Sequence, residues 1–249
     1  MARAAIPGRL TWQLATVLET IDDTARCTTI RLMPPEWPGH RSGQHVDVRL
    51  TAPDGYQAQR SYSIASAPED ERLMLTVERL DDGEVSPYLV DELRIGDTLE
   101  LRGPIGGYFA WDSSLGGPLQ LVAGGSGVVP FRSMLRHRDA VGSMVPTRLL
   151  YSARSLPSLI YREEVMQMAA QDGVDVSVTL TRERPEQWHG YERRIDRDLL
   201  AEVCWPSSER PRVYVCGPTA LVETAASTLV ALGHDPGRIR TERFGPSGS

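Results

Sequence analysis

The chain has 249 residues, of which 41% are hydrophobic, and a formal net charge of −6. That much apolar material supports one large core or two ordinary ones, and the negative balance argues against non-specific binding to nucleic acid. Three cysteines without paired spacing, Cys27, Cys204 and Cys216, encode neither a zinc centre nor a Cys-ligated iron–sulfur cluster.

All 27 basic residues are arginine, which we read as codon bias rather than a demand of function. The first ten residues, MARAAIPGRL, hold no apolar core of signal-peptide length. No stretch reaches the roughly 20 apolar residues of a spanning helix. The expectation is a cytoplasmic protein without membrane insertion, in keeping with scattered thiols and a reducing compartment.

In chain order, the first half reads as short strands broken by turns: TWQLATVLETI, CTTIRLM, GQHVDVRLT, RSYSIAS, RLMLTVERL and GDTLELRG. The alternation Val46, Val48, Leu50 and Leu73, Leu75, Val77 has the period of two that half-buried strands require. PDGY at 53–56 is a hairpin turn in which Gly supplies the positive φ. Six such segments predict a small antiparallel barrel. One short helix interrupts them at SPYLVDEL, where Ser86 is placed to cap and Pro87 to occupy the first helical position.

After the Gly/Ser/Pro-rich link WDSSLGGP the rhythm changes. LQLVAG, PFRSMLRHRDA, TRLLYSA, SLIYREEVMQMAA, VDVSVTLT, PRVYVCG, ALVETAASTLVALG and RIRTERF alternate apolar strands with amphipathic helices, closing on a strand. This predicts a parallel sheet covered on both faces. The expected organisation is a β-barrel domain over residues 1–112, an α/β nucleotide-binding domain over 113–245 and a tail at 246–249.

Two stretches carry the chemistry. RSYSIAS, residues 60–66, offers an arginine for phosphate, an aromatic ring for a flat ligand and serine hydroxyls for ring nitrogens. An ordinary strand with one solvated face fits it as well. LVAGGSGVVPF places Gly124, Gly125 and Gly127 between a buried strand and a helix that begins near Pro130. That is the layout of a dinucleotide-phosphate site, although the full G-x-G-x-x-G is not present and simple turn chemistry is the alternative. The next strand ends in Arg154, and the one after it in Arg182 and Arg184. Arginines there suit a 2′-phosphate, where an acid would favour the unphosphorylated ribose, so NADPH is expected and NADH is the alternative; solvated loop arginines are the bland reading. VYVCGP puts Cys216 at a strand's carboxyl end, where a buried structural thiol is the commoner fate.

Taken in order, RSYS, GEVSPYL, GPIGGYF, GGSGVVPF and VYVCGP resemble the ferredoxin–NADP reductase family of flavoproteins, over nearly the whole chain. The resemblance implies FAD on the barrel: Arg60 on its phosphates, Tyr62 against the ring system, Ser63 near the reactive nitrogen and Ser61 alongside. Gly83, Val85 and Ser86 match the pyrophosphate segment, whose short helix adds its positive end. Gly125, Ser126 and Gly127 would meet the nicotinamide nucleotide, together with Arg154, Arg182, Cys216, Gly217 and Pro218. Cys216 would lie beside the nicotinamide, and Glu242 and Phe244 of TERFG would border the flavin. Ser63, Cys216 and Glu242 are thus the catalytic candidates.

The activity so implied moves a hydride from NADPH to FAD and returns electrons singly to a separate acceptor. That acceptor would be ferredoxin, flavodoxin or an oxygenase component, with Arg132, Arg136 and Arg138 as candidates to steer an acidic ferredoxin and an ordinary charged helix face as the alternative. A flavin reductase or ferric-siderophore reductase is the nearest alternative. A non-catalytic nucleotide-binding redox sensor is the alternative of another class.

Overall fold

The computed structural model describes residues 10–183 and 185–244; Arg184 and the predicted tail at 246–249 lie outside the described residues. The first half forms six strands: β1 (Gln13–Thr24), β2 (Cys27–Met33), β3 (His45–Thr51), β4 (Gln57–Ser63), β5 (Leu73–Glu78) and β6 (Thr98–Ile105). They pair antiparallel in the order β4-β3-β6-β1-β2-β5. Just past β4, Ile64 bridges to Leu75 of β5, so the two outermost strands meet and the sheet closes into a barrel. Closure removes the exposed edges that a flat six-stranded sheet would carry.

The alternating apolar positions fill the interior. Val46, Val48, Leu73, Leu75 and Val77 share one core with Leu99 and Leu101. Gly55 turns the β3–β4 hairpin at φ 90°, and Tyr56 O accepts from Ala52 N at 2.8 Å. The segment after β5 departs from expectation. It forms a π-type turn over Tyr88–Glu92 with Pro87 at its N-cap. Ser86 does not cap it, because its Oγ accepts from Leu80 N at 3.0 Å and closes the preceding loop.

The second half is a five-stranded parallel sheet. Its strands are β7 (Leu119–Gly124), β8 (Thr147–Ala153), β9 (Val174–Leu180), β10 (Arg212–Pro218) and β11 (Ile239–Phe244), ordered β11-β10-β7-β8-β9. Between them lie α1 (Val129–Ala140), α2 (Arg162–Met168), α3 (Arg197–Val203) and α4 (Thr219–Ala231). β7 is buried along its whole length, as a strand covered on both faces must be. One face packs Val122, Leu150, Val213 and Val215 against α3 and α4. The other sets Leu121, Ala123, Tyr151, Tyr214 and Cys216 against α1, and takes in Cys27, Ala65, Phe109 and Trp111 from the first half.

Two elements differ from the sequence reading. Helix α3 was not expected; Asp196 caps it by accepting from Leu199 N at 2.9 Å. The helix read from SLIYREEVMQMAA starts only at Arg162, because Tyr161 is left-handed at φ 57°. Among the described residues no helix is long and apolar enough to cross a membrane. The three cysteines are free and buried.

Candidate functional site

In the parallel sheet the chain order reverses direction between β7 and β10, and the crevice beyond their carboxyl ends is where open α/β sheets take ligands. Gly125–Val128 turns there as a single 3-10 segment, and α1 follows with a proline in its first turn. The glycines divide into two groups. A Cβ on Gly127 would lie 2.1 Å from the Cys216 carbonyl oxygen, and one on Gly217 would lie 2.9 Å from the Gly124 carbonyl oxygen. These residues are small so that the loop can lie on β10. Gly125, by contrast, is left-handed at φ 54°, and its Cβ direction is open except for Glu78 Oε2 at 3.9 Å. Of the loop glycines, it is the one whose backbone faces the barrel.

Ala123, Cys216 and Glu242 stand side by side across β7, β10 and β11, and Pro218 pairs with Phe244. Cys216 is fully buried. Its thiol is pushed well above its ordinary range, first by burial and then by Glu242 beside it, so it stands as the neutral thiol. Phe244 packs against the same apolar cluster.

Burial raises the Glu242 carboxyl to about 7. The folded chain therefore holds a proton that the unfolded chain releases near pH 4.5. This contribution to stability is complete below that value and is lost as pH rises through about 7. Unfolding free energy measured from pH 5 to 8 is expected to fall by on the order of 3 kcal/mol at most, with Glu242→Gln flattening the slope. Equal slopes in parent and variant would show that Glu242 is not the titrating group.

On the barrel side, strand alternation separates the RSYS residues. Tyr62 is partly buried and packs against the barrel core, and burial raises its phenol. Arg60 lies two residues away on the same face and pairs with Glu84 at 2.9 Å. Glu84 also accepts from the Tyr56 hydroxyl at 2.6 Å. The N–H groups of Glu84, Val85 and Ser86 meet no acceptor among the described residues. A cation, free backbone amides and a ring backed by the core thus share one place, which fits a flavin bearing phosphates.

Ser61 points away from the side of β4 that carries Arg60 and Tyr62: its hydroxyl donates to Asp47 at 2.7 Å, where Arg102 also binds at 2.6 Å. Ser63 ends β4 in a buried position, directly across from His45. The sequence reading passed over His45. Burial lowers its pKa, so it stands as a neutral imidazole on the strand paired with the serine. The signal for it was present in GQHVDV, where His45 alternates with the inward Val46 and Val48.

The arginines divide in the same manner. Arg132, Arg136 and Arg138 do not form a free steering surface, which corrects that expectation. Arg132 binds Glu164 at 2.7 Å and the Ala65 carbonyl at 3.0 Å, and Arg136 forks onto Asp70. Arg138 is buried and donates to the carbonyls of Val145 and Asp172. Arg154 and Arg182 are exposed at the ends of β8 and β9 and are joined by a backbone bond of 2.9 Å from Arg182 N to Arg154 O. Among the described residues neither guanidinium has an ion-pair partner.

The oxidoreductase FAD-binding domain matches residues 18–110 and the oxidoreductase NAD-binding domain matches 121–227. Ferredoxin–NADP reductase B of Sorangium cellulosum is 36% identical over 187 residues, covering 73% of this chain and 75% of that protein. The glycine betaine monooxygenase reductase subunit of Pseudomonas aeruginosa is 32% identical over 210 residues, covering 83% of this chain and 57% of its own length. This chain therefore spans little more than half of that relative. Among solved structures, the flavohem-like FAD/NAD binding domain of nitric oxide dioxygenase from Vibrio cholerae superposes with a TM-score of 0.83 at 26% identity. That match covers 94% of this chain and 99% of the other. With a matching barrel, a matching nucleotide domain and these relatives, the chain belongs to the ferredoxin–NADP reductase family of FAD- and NAD-binding oxidoreductases.

Proposed function

We propose that the chain takes electron pairs from NADPH and passes them singly to a separate acceptor such as a ferredoxin, a flavodoxin or an oxygenase component. The observation that carries this reading is the direct tie between the strand bearing Tyr62 and Ser63 and the helix leaving the glycine loop. Ser133 Oγ of α1 donates to Ser66 O at 2.6 Å. FAD, when bound, supplies the chemistry that accepts a hydride and releases electrons one at a time.

The chain's own residues hold and orient. Arg60, with the amides of Glu84, Val85 and Ser86, binds phosphate, and Tyr62 sets the plane of the ring. Ser63 offers a hydroxyl at the reacting edge, with the neutral imidazole of His45 on the paired strand across from it. Gly125 and Ser126 give backbone to the nucleotide, and Gly127 and Gly217 let that loop seat on β10. Cys216, Glu242 and Phe244 form the floor and rim that exclude water from the nicotinamide end.

Arg154 and Arg182, exposed at adjacent strand ends and without an ion-pair partner among the described residues, support NADPH over NADH through a 2′-phosphate. Purified chain loaded with FAD is expected to bleach anaerobically with NADPH faster than with NADH. Arg154→Ala combined with Arg182→Ala is expected to reduce that preference roughly 10- to 100-fold while leaving NADH rates near parent. Bleaching by neither nucleotide would overturn the reductase reading. A parent preference for NADH would overturn the phosphate assignment alone. A panel of acceptors, including cytochrome c with and without ferredoxin, then identifies where the electrons leave.

A further inference from the structure

Helix α1 begins where the glycine loop ends, and one of its faces is fastened to the chain segment that continues the flavin strand. Arg132 Nη1 donates to Ala65 O at 3.0 Å, and Ser133 Oγ to Ser66 O at 2.6 Å. Ser42 Oγ in turn donates to Ser133 O at 3.1 Å. One turn on, Arg136 forks onto Asp70 and His137 meets Glu69 at 2.8 Å. Ser66 and Ser133 are both fully buried, so these bonds are shielded from water.

Arg132 touches both halves of the molecule. Its Nε binds Glu164 of α2 at 2.7 Å, and its guanidinium carbon sits 4.8 Å from the centre of the Tyr161 ring. Tyr161 is the left-handed residue that opens α2, and its hydroxyl donates to Thr76 of β5. Thr76 then shares a bond of 2.6 Å with Thr29 of β2, which donates to Asp23 at 2.5 Å. A bulky residue held at positive φ is disfavoured by sterics alone and persists only where its surroundings fix it. Here they do so across the domain boundary.

By chain path, Ser63 lies three residues before Ser66, and Gly127 lies five before Arg132. Both candidate cofactor loops therefore connect through short, buried, hydrogen-bonded chain to the same joint. We infer that Arg132 and Ser133 are positioning residues that set how far apart the flavin and the nicotinamide nucleotide are held. They touch neither ligand, and they act through the carbonyls of Ala65 and Ser66. This inference rests on the reductase reading above. Transfer between two bound rings depends steeply on their approach, and a displacement near 1 Å costs on the order of 100-fold in rate.

The test uses FAD-loaded full-length chain carrying Ser133→Ala or Arg132→Lys. Ser133→Ala deletes one buried donor, and Arg132→Lys keeps the charge but cannot fork to Ala65 and Glu164 together. The expected result is a 10- to 100-fold slower reduction by NADPH in stopped flow, with a larger deuterium isotope effect and a weaker charge-transfer absorbance on mixing. FAD affinity, and the affinity for NADP+ measured by difference spectroscopy, stay within about twofold. Hydrogen exchange rises at 65–70 and 129–137 in both loaded and flavin-free chain. Parent-like reduction rates and charge-transfer bands in both variants would overturn the inference, as would a slowdown matched by equal loss of FAD binding. A parent chain that binds FAD but is not reduced would instead overturn the reductase reading.

Discussion

Gly127→Ala is expected to be among the most damaging single-methyl changes in the chain. The added Cβ would sit 2.1 Å from the Cys216 carbonyl oxygen, 2.4 Å from its carbon and 2.7 Å from the Gly217 nitrogen. All three are backbone atoms of a central strand, so no side chain can rotate aside. Either the loop lifts from β10 or β10 loses register with β7, and a cost of about 3 kcal/mol or more follows. Gly125→Ala is the internal control. Its Cβ meets nothing closer than 3.9 Å, so its cost is only that of an L-residue at φ 54°, about 1 kcal/mol. Denaturant midpoints separate the two. Equal midpoints would mean that the loop is free to move off the strand and that Gly127 is small for another reason.

That contrast also explains why the glycine loop was only half legible. Three glycines between an apolar strand and a helix announce a sharp turn and a place for phosphate. They do not say which glycine is small for the ligand and which for the neighbouring strand. The partner of Gly127 is Cys216, 89 positions later, and no local pattern encodes that approach. The barrel was legible because alternation such as Val46–Val48 is itself the physical signal for one buried face. Which residues close it was not legible, since the closing pair Ile64 and Leu75 is not marked by any local pattern.

The arginines of α1 were misread for a related reason. At the spacing 132, 136 they look like an ordinary charged helical face. Their acceptors, Ala65 O and Asp70, lie more than 60 positions away. The bond of Ser61 was hidden in the same manner, because the strand period places it opposite Tyr62 but does not reveal Asp47 waiting on that face. By contrast, that Arg154 and Arg182 lie at neighbouring strand ends followed from strand order alone. In a parallel sheet with sequential neighbours, successive strand ends must lie together.

Arg60→Ala is expected to weaken FAD binding roughly 10- to 100-fold, the range lost when a charge-assisted contact to phosphate is removed. FMN should lose affinity to a greater extent, because FAD keeps the free amides of Glu84, Val85 and Ser86, a second anchor that only a pyrophosphate can use fully. Glu84 complicates the site. It holds Arg60 at 2.9 Å and the Tyr56 hydroxyl at 2.6 Å, so a carboxylate already occupies the cation that the phosphates would claim. The hydroxyl bond keeps Glu84 below its ordinary pKa and hence charged at neutral pH. Glu84→Gln is therefore expected to tighten FAD binding several-fold at low ionic strength, fading toward parent as salt screens this exposed pair. The double variant distinguishes two causes. If Glu84 acts by competing for Arg60, Glu84→Gln has no effect in the Arg60→Ala background. If it repels the phosphates directly, the gain persists there. Flavin fluorescence titration reads all four proteins, and an unchanged FAD affinity in Arg60→Ala would remove the phosphate contact from the site.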